Sequence, residues 1–349
     1  MTDGRLRVVQ WATGNVGRRA LRETIRHPDL ELVGLVVYDE AKAGTDAGDL
    51  CGEAPTGVLA TTDHASAIAL DADAVIYMPG AADFDEVLAV LERGTNVITT
   101  CGDFQAGAAS LSEERRGRLL DACRRGGSSI YATGSSPGFI SDALPLALLS
   151  MQRRVDRIEI EEYANLSERD SAYMLFELMG FGRPAGPADE GRASYLLGQF
   201  GPALARLARS AGHDVQDWSA TGELAAVRET TTLAAGELPA GTVGAQRTIL
   251  SGSSEGREVV RFTANWYCST DLDPAWDLLP TGWRVKVRGD AAMDVTIEFP
   301  VAVEDLGEFT PALTANRPVN AVPFVCAAAP GIVVTEDLPP LVPIGPSGD

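Results

Sequence analysis

Between residues 5 and 150 the chain repeats one pattern that few folds satisfy: a short unbroken apolar run followed by a longer amphipathic stretch. The runs are LRVVQW (6–11), LELVGLVVY (30–38), ADAVIYMP (72–79), TNVITT (95–100) and SSIYAT (128–133). Helical patterns lie between them: NVGRRALRETIRH, DFDEVLAVLERG and SEERRGRLLDACRRGG, the last opened by Ser112 and Glu113 and closed by glycines. A strand buried on both faces reads as a continuous apolar run, and strands alternating with helices imply crossover units in a parallel sheet. The spacing therefore predicts an α/β chain whose N-terminal part is a doubly wound parallel sheet.

Beyond residue 150 the texture changes. GFISDALPLALLSMQ reads as a helix, RRVDRIEIEEYANL alternates like a half-exposed strand, and SAYMLFELMGFG reads as an apolar helix. The later stretches AAVRETTTLAAGELPAGTVGAQRTILSG, REVVRFTANWYCST and WRVKVRGDAAMDVTIEFP are rich in Thr and Val and punctuated by turn dipeptides. They predict a C-terminal α+β domain on a mainly antiparallel open sheet. The expected division is 1–150 for the first domain and 151–304 for the second, with 305–349 packing back on the first, its helix at NRPVNAVPFVCAAAPG and its proline-rich tail extended.

The first apolar run enters a turn, Ala12-Thr13-Gly14-Asn15-Val16-Gly17, that opens the first helical stretch. In a dinucleotide-binding turn, glycine permits the bend and lets a pyrophosphate approach backbone N–H groups at a helix N-terminus. Gly14 and Gly17 occupy the last two glycine positions of that pattern, Ala12 the first, and the strand–turn–helix context makes the sheet a Rossmann-type domain. Asp39 closes the second run, where a carboxylate accepts from a ribose 2′-hydroxyl and repels a 2′-phosphate. That favours NAD, while Lys42, or Arg18 in the turn, offers a cation for the phosphate of NADP. Ligands of such sheets gather at the C-terminal ends of the strands. The glycine-bearing segments there hold Pro79 and Gly80, Thr100 and Cys101, and Gly134, Ser136 and Pro137, all expected to line the cofactor.

Acidic residues outnumber basic ones 49 to 29, and the net charge of -20 repels phosphate backbones and anionic membranes, so neither nucleic acid nor membrane is an expected partner. Five scattered cysteines without a CxxC pair suggest neither a disulfide framework nor a zinc site, and three isolated histidines suggest no other metal centre. The expectation is a cytoplasmic protein without a metal.

VVQWATGNVGRRALR, HPDLELVG, AGTDAGDLCG, GTNVITT, GSSPGFISDALPL, AGTVGAQR and VNAVPFVCAAAPG together resemble the dihydrodipicolinate reductase-like NAD(P)-binding proteins. The closer likeness is to the branch of 2,4-diaminopentanoate dehydrogenase and the native amine dehydrogenases, from about residue 5 to 335. True dihydrodipicolinate reductases are shorter and carry a paired-histidine and lysine motif missing here. The resemblance implies a homodimer built on the open sheet and hydride transfer between nicotinamide and a small amine, imine or ketone. It also locates two departures. Where the family has a glutamate region after the strand NVITT, this chain reads Cys101-Gly102-Asp103, which makes Asp103 the nearest candidate to deprotonate a substrate nitrogen. The family's Gly-x-Asn-Pro-Gly-Phe appears as GSSPGF, with Ser136 in the asparagine place and Phe139 beside it facing substrate. The substrate wall implied in the second domain is Glu161, Tyr163, Asn165, Tyr173, Phe176 and Met179, with Tyr163 or Tyr173 as a proton donor. Tyr173, Phe176 and Gly180 follow helical spacing. Two other readings stand beside this one: a carbonyl or imine reductase that uses no ammonium, and a cofactor-binding protein without catalysis.

Overall fold

Six strands, β1 (Leu6–Trp11), β2 (Leu30–Val36), β3 (Ala60–Thr61), β4 (Ala74–Tyr77), β5 (Asn96–Thr99) and β6 (Ser129–Ala132), pair in parallel in the computed structural model, which describes residues 4–186 and 190–343. A C-terminal strand, Gly331–Val333, extends the sheet at β6. The order Gly331–Val333, β6, β5, β4, β1, β2, β3 reverses between β1 and β4, the point at which doubly wound sheets open a crevice at the strand ends. The chain divides into two units, 1–139 with 311–349, and 140–310, against the 150/151 and 304/305 boundaries read from composition.

The continuous apolar runs have a direct cause in the first unit. Alternate residues of one strand point to opposite faces, and here each face has its own core. Val75 and Tyr77 of β4 pack with Trp11, Phe84, Leu91 and Leu119, while Ala74 and Ile76 pack with Val8, Val319, Val322 and Val325. The second set is closed by the helix Leu306–Cys326, longer than the segment read from sequence, and the first by the helices Phe84–Glu92 and Glu113–Gly126. Ser112 caps the last of these and Gly127, at φ 69°, ends it in the left-handed conformation that glycine favours. Burial raises all five cysteine thiols above their ordinary range, Cys101 and Cys123 to about 11 and Cys268 and Cys326 to about 12.

The second unit holds β7 (Val155–Asn165), β8 (Asp217–Val227), the ribbon β9 (Thr231–Leu233) and β10 (Gly236–Leu238), β11 (Val243–Ser254), β12 (Arg257–Tyr267), β13 (Leu272–Asp273), β14 (Gly282–Gly289) and β15 (Met293–Glu298). Its large sheet runs β13, β8, β11, β12, β7, β14, β15, antiparallel throughout except for the parallel pair β7 and β12. The hairpin between β11 and β12 turns on Glu255 and Gly256, both at positive φ, the geometry that matches strand twist.

One face of this sheet is dry. Ile158, Ile160, Leu250, Val260, Phe262, Val285 and Val287 are buried, and Phe200 of the helix Glu190–Ser210 stacks on Phe262 at 4.4 Å between centroids. The sequence reading passed over that helix because Gly198, Gly201 and Pro202 interrupt it; packing overrides their low propensity. The other face is a lattice of paired charges: Arg157 with Glu258 (2.7 Å), Lys286 with Glu161 (2.5 Å), Arg247 with Glu223 (3.1 Å) and Arg288 with Asp294 (2.7 Å). Two helical expectations shrink. The GFISDAL stretch is a wide, irregular turn over Ser135–Ala143 before a short helix, Leu144–Leu149, and SAYMLFELMGFG is helical only over Tyr173–Leu178.

Among the described residues, no helix is long and apolar enough to cross a membrane, and no cluster of His, Cys, Asp and Glu is placed to hold a metal ion.

Candidate active site

The C-terminal edge of the first sheet begins at Ala12. This residue adopts φ 72°, a left-handed conformation uncommon for a residue with a side chain. Its N–H donates to the Val36 carbonyl (2.9 Å), and its own carbonyl accepts from Nε2 of the buried Gln10 (3.1 Å). The bend turns that carbonyl against the first helix: a Cβ on Gly17 would fall 2.3 Å from the Ala12 oxygen. Gly17 therefore serves the packing of strand on helix. Gly14 differs, since a Cβ there meets nothing within 4 Å.

The helix that follows, Asn15–Arg26, has no side-chain cap at Gly14 and no acidic residue in its first turn. Its leading N–H groups carry the positive end of the helix dipole. Uncapped donors, open space over Gly14 and no acidic residue in the first turn fit a diphosphate. Lys42 reaches the same turn, its Nζ donating to Thr13 at Oγ1 (3.3 Å) and at the carbonyl (3.4 Å).

Asp39 is exposed three residues beyond β2, and its Oδ1 accepts from the Ala41 N–H (3.0 Å), capping the turn Glu40–Lys42. A part-buried polar network holds the neighbouring chain. Glu86 accepts from the Tyr77 hydroxyl (2.8 Å) and meets Nδ1 of His64 (2.5 Å) and the Tyr38 hydroxyl (3.4 Å), and Trp11 Nε1 donates to Tyr38 (3.2 Å). Burial, first of all, raises the Tyr38 and Tyr77 phenols.

At the ends of β4 and β5, Cys101 donates its thiol hydrogen to the Pro79 carbonyl (3.5 Å), and Gly80 has open space at its Cα. Burial pushes the Cys101 thiol up to about 11, which disfavours the thiolate at neutral pH. Thr100 is half-buried beside it. Asp103 is exposed in the turn Gly102–Phe104, which buried Cys101 and Phe104 pin on either side; among the described residues no hydrogen bond holds its carboxylate. Beyond β6, Ser135 Oγ meets Thr314 Oγ1 (2.7 Å), and the Ser136–Pro137 peptide is cis. Gly138, at φ 130°, lies so close to Thr133 that a Cβ would be 2.9 Å from its Oγ1. Ser136 Oγ is buried with no hydrogen-bond partner among the described residues.

In the second unit, Tyr163 donates to Glu161 Oε2 (2.9 Å), and Glu161 also holds Lys286 Nζ (2.5 Å) and Arg284 (3.4 Å) on the charged face. Burial would raise the Glu161 carboxyl, but the hydrogen bonds from Lys286 and Tyr163 outweigh it and hold the group below its ordinary range. Burial, then Glu161, push the Tyr163 phenol up to about 12, which disfavours it as a proton donor. Asn165 accepts from the Ser167 N–H (3.0 Å). Tyr173 is 67% exposed, and the Phe176 ring packs on Gly182 and Gly236. Gly180, at φ 75°, lies past the end of the helix, so the expected Tyr173, Phe176, Gly180 face does not form.

Across 97% of this chain and 98% of its own length, an amine dehydrogenase from Streptomyces virginiae is 31% identical. The chain belongs to the amine dehydrogenase family. It is thus related to oxidoreductases over its whole described architecture. The structure of an amine dehydrogenase from Mycobacterium smegmatis superimposes with a TM-score of 0.75 at 18% identity, covering 97% of this chain and 98% of that one. A 4-hydroxy-tetrahydrodipicolinate reductase from Synechocystis sp. is 24% identical over 72% of this chain and 96% of its own. No protein-family model matches.

In this amine dehydrogenase-family chain, sequence reasoning missed Gln10, Thr133, Thr314 and Arg317. Arg317 Nε donates to Thr133 Oγ1 (2.7 Å) and Nη2 to the Tyr131 hydroxyl (3.3 Å) at the end of β6. Its signal was that it is the one basic residue of the helix Leu306–Cys326. His64, one of the three isolated histidines, is part of the network around Glu86.

The two glycines should respond differently to a methyl group. Gly17→Ala is expected to lose about 1–3 kcal/mol, the scale of overpacking, whereas Gly14→Ala keeps the parent stability. Urea unfolding of both variants checks this; equal stabilities would show that the Ala12 carbonyl does not confine Gly17.

Proposed function

We propose that the chain is an NAD(P)-dependent oxidoreductase that transfers hydride between nicotinamide and a small amine, imine or ketone. The observation that carries this reading is the uncapped, carboxylate-free helix N-terminus at Ala12-Thr13-Gly14-Asn15-Val16-Gly17. Family membership and the parallel sheet that presents this turn support it. The turn would hold the pyrophosphate. Pro79, Gly80, Thr100, Cys101, Gly134, Ser136 and Pro137 would border the rest. A bound nicotinamide supplies the hydride, and the protein supplies orientation and proton handling.

Asp39 favours NAD, because its exposed carboxylate can accept from a 2′-hydroxyl and repels a 2′-phosphate. Lys42 is held at Thr13, on the glycine turn. Asp39→Asn keeps an oxygen for the Ala41 N–H and removes the charge. It should raise the affinity ratio of NADPH to NADH by about tenfold, equivalent to about 1.4 kcal/mol. Titration of both cofactors decides the point, and an unchanged ratio removes Asp39 from the ribose site.

For amine formation, Asp103 is the candidate that takes a proton from the substrate nitrogen. Asp103→Asn should lower ketone amination with ammonium by about 10²-fold or more, the scale of general acid–base catalysis, with NADH affinity within about twofold. An asparagine variant aminating at the parent rate would falsify that role. Because no hydrogen bond among the described residues orients the Asp103 carboxylate, a second reading stands: reduction of a carbonyl or imine without ammonium. Turnover independent of ammonium identifies it.

The same proposal pairs the open charged face of the second unit with a second copy. Charges already matched side to side cost less to cover than isolated ones. Sedimentation equilibrium should give the mass of two chains, and a monomer at micromolar concentration would refute the pairing.

A further inference from the structure

Tyr38, two residues beyond β2, carries an aromatic ring that is both exposed and fixed. The residue is 52% exposed, yet its hydroxyl accepts from Nε1 of the fully buried Trp11 (3.2 Å) and donates to Glu86 Oε2 (3.4 Å). The His64 ring meets it edge-on, with centroids 5.0 Å apart. Glu86 is in turn held by the Tyr77 hydroxyl (2.8 Å) and by His64. A ring ordered before anything binds lowers the entropic cost of binding. None of the contacts proposed above uses it.

The ring borders an open groove of about 520 Å³ in the first unit, shared with Ala81, Ala82 and Arg115. Ala81 and Ala82 follow Pro79 and Gly80 beyond the end of β4. The acids on the groove are already engaged: Asp83 accepts from the Asp85 and Glu86 N–H groups (3.0 and 3.1 Å), capping the helix Phe84–Glu92, and Asp85 pairs with Arg118 (2.7 Å). Arg115 differs. Its guanidinium lies 4.2 Å over the centre of the Phe84 ring, and among the described residues no carboxylate pairs with it.

These features select among ligand classes. A fixed aromatic face favours a planar partner over an alkyl chain. The unpaired guanidinium of Arg115 offers N–H donors, which suit ring nitrogens that accept, and the engaged acids leave little to attract an ammonium. A purine base meets these conditions. Its source follows from the chain: Tyr38 immediately precedes Asp39, the ribose candidate, so the base joined to that ribose has this ring beside it.

The geometry points to Tyr38 as the platform on which the adenine of the dinucleotide stacks, and to Glu86 as the positioning residue that holds the platform. The assignment rests on the nicotinamide cofactor proposed above. Isothermal titration of the full chain would use NADH, NADPH, ADP-ribose and nicotinamide mononucleotide. Tyr38→Ala should weaken NADH and ADP-ribose by one common factor, about fivefold or more, the lower end of base stacking on an aromatic side chain. The mononucleotide, which has no adenine, should bind as before, and the ratio of NADPH to NADH affinity should not move. Tyr38→Phe, which keeps the face and loses the anchor, should lose less than Tyr38→Ala. Glu86→Ala should weaken ADP-ribose in the parent and add nothing once Tyr38 is alanine, a dependence that a general loss of structure would not show. Circular dichroism of each variant should match the parent. The assignment is overturned if Tyr38→Ala binds ADP-ribose like the parent, if the mononucleotide weakens equally, or if Glu86→Ala costs as much without the Tyr38 ring as with it. A parent chain that binds neither NADH nor NADPH would refute the cofactor reading and this assignment together. NADH bound equally by the parent and by Tyr38→Ala would refute this assignment alone.

Discussion

The contact between the Ala12 carbonyl and the Cα of Gly17 sets the geometry on which the candidate site depends. A left-handed residue at the end of β1 throws its carbonyl back over the first helical turn, and only a residue without a side chain lets the helix come that close. The helix axis is thereby aimed from the strand end, and its leading N–H groups stay free of internal caps. Gln10 supports the bend from beneath, its side chain buried in the sheet and its Nε2 on the same carbonyl. The alanine is tolerated because the position demands a backbone conformation costing about 1 kcal/mol for a small side chain, which surrounding packing can supply.

The second unit solves a different problem. A seven-stranded sheet with one helix across it has a face left over, and its residues are charged in pairs across neighbouring strands. Cross-strand pairing keeps each side chain near its partner at little conformational cost. Glu161 shows the consequence: an acid that could have served as a base is committed to Lys286, Arg284 and Tyr163. The dry face carries polar groups of another kind. Glu162 and Gln246 are buried, fixed by tryptophan N–H groups and a main-chain carbonyl respectively.

The sequence was most legible where burial on two faces left no freedom. The five runs from LRVVQW to SSIYAT all became strands of the parallel sheet, because each alternating set of side chains had a core to enter. β3 and Gly331–Val333 escaped notice because two or three residues show no period. The helix Glu190–Ser210 was hidden by Pro202 and its neighbouring glycines, whose local preference is overruled by Phe200, Leu204 and Leu207 packing on the sheet. The glycine turn was legible as a unit, but the separate tasks of Gly14 and Gly17 were not. They follow from where one carbonyl points. The resemblance set Tyr163 and Glu161 on one wall, and the fold joins them by a hydrogen bond on the charged face, yet the ion-pair partners of Glu161 lie more than a hundred residues on, at a register that no local pattern encodes.

The cysteines have a practical consequence. Every one of the five thiols is raised by burial, and a thiol near 11 is ionised to only about one part in 10⁴ at neutral pH. Alkylating dyes react with the thiolate. A cysteine introduced at an exposed position in each unit would therefore outcompete the native five for a maleimide label, and the protein could carry a fluorescent donor and acceptor for distance measurements without first being stripped of its own cysteines.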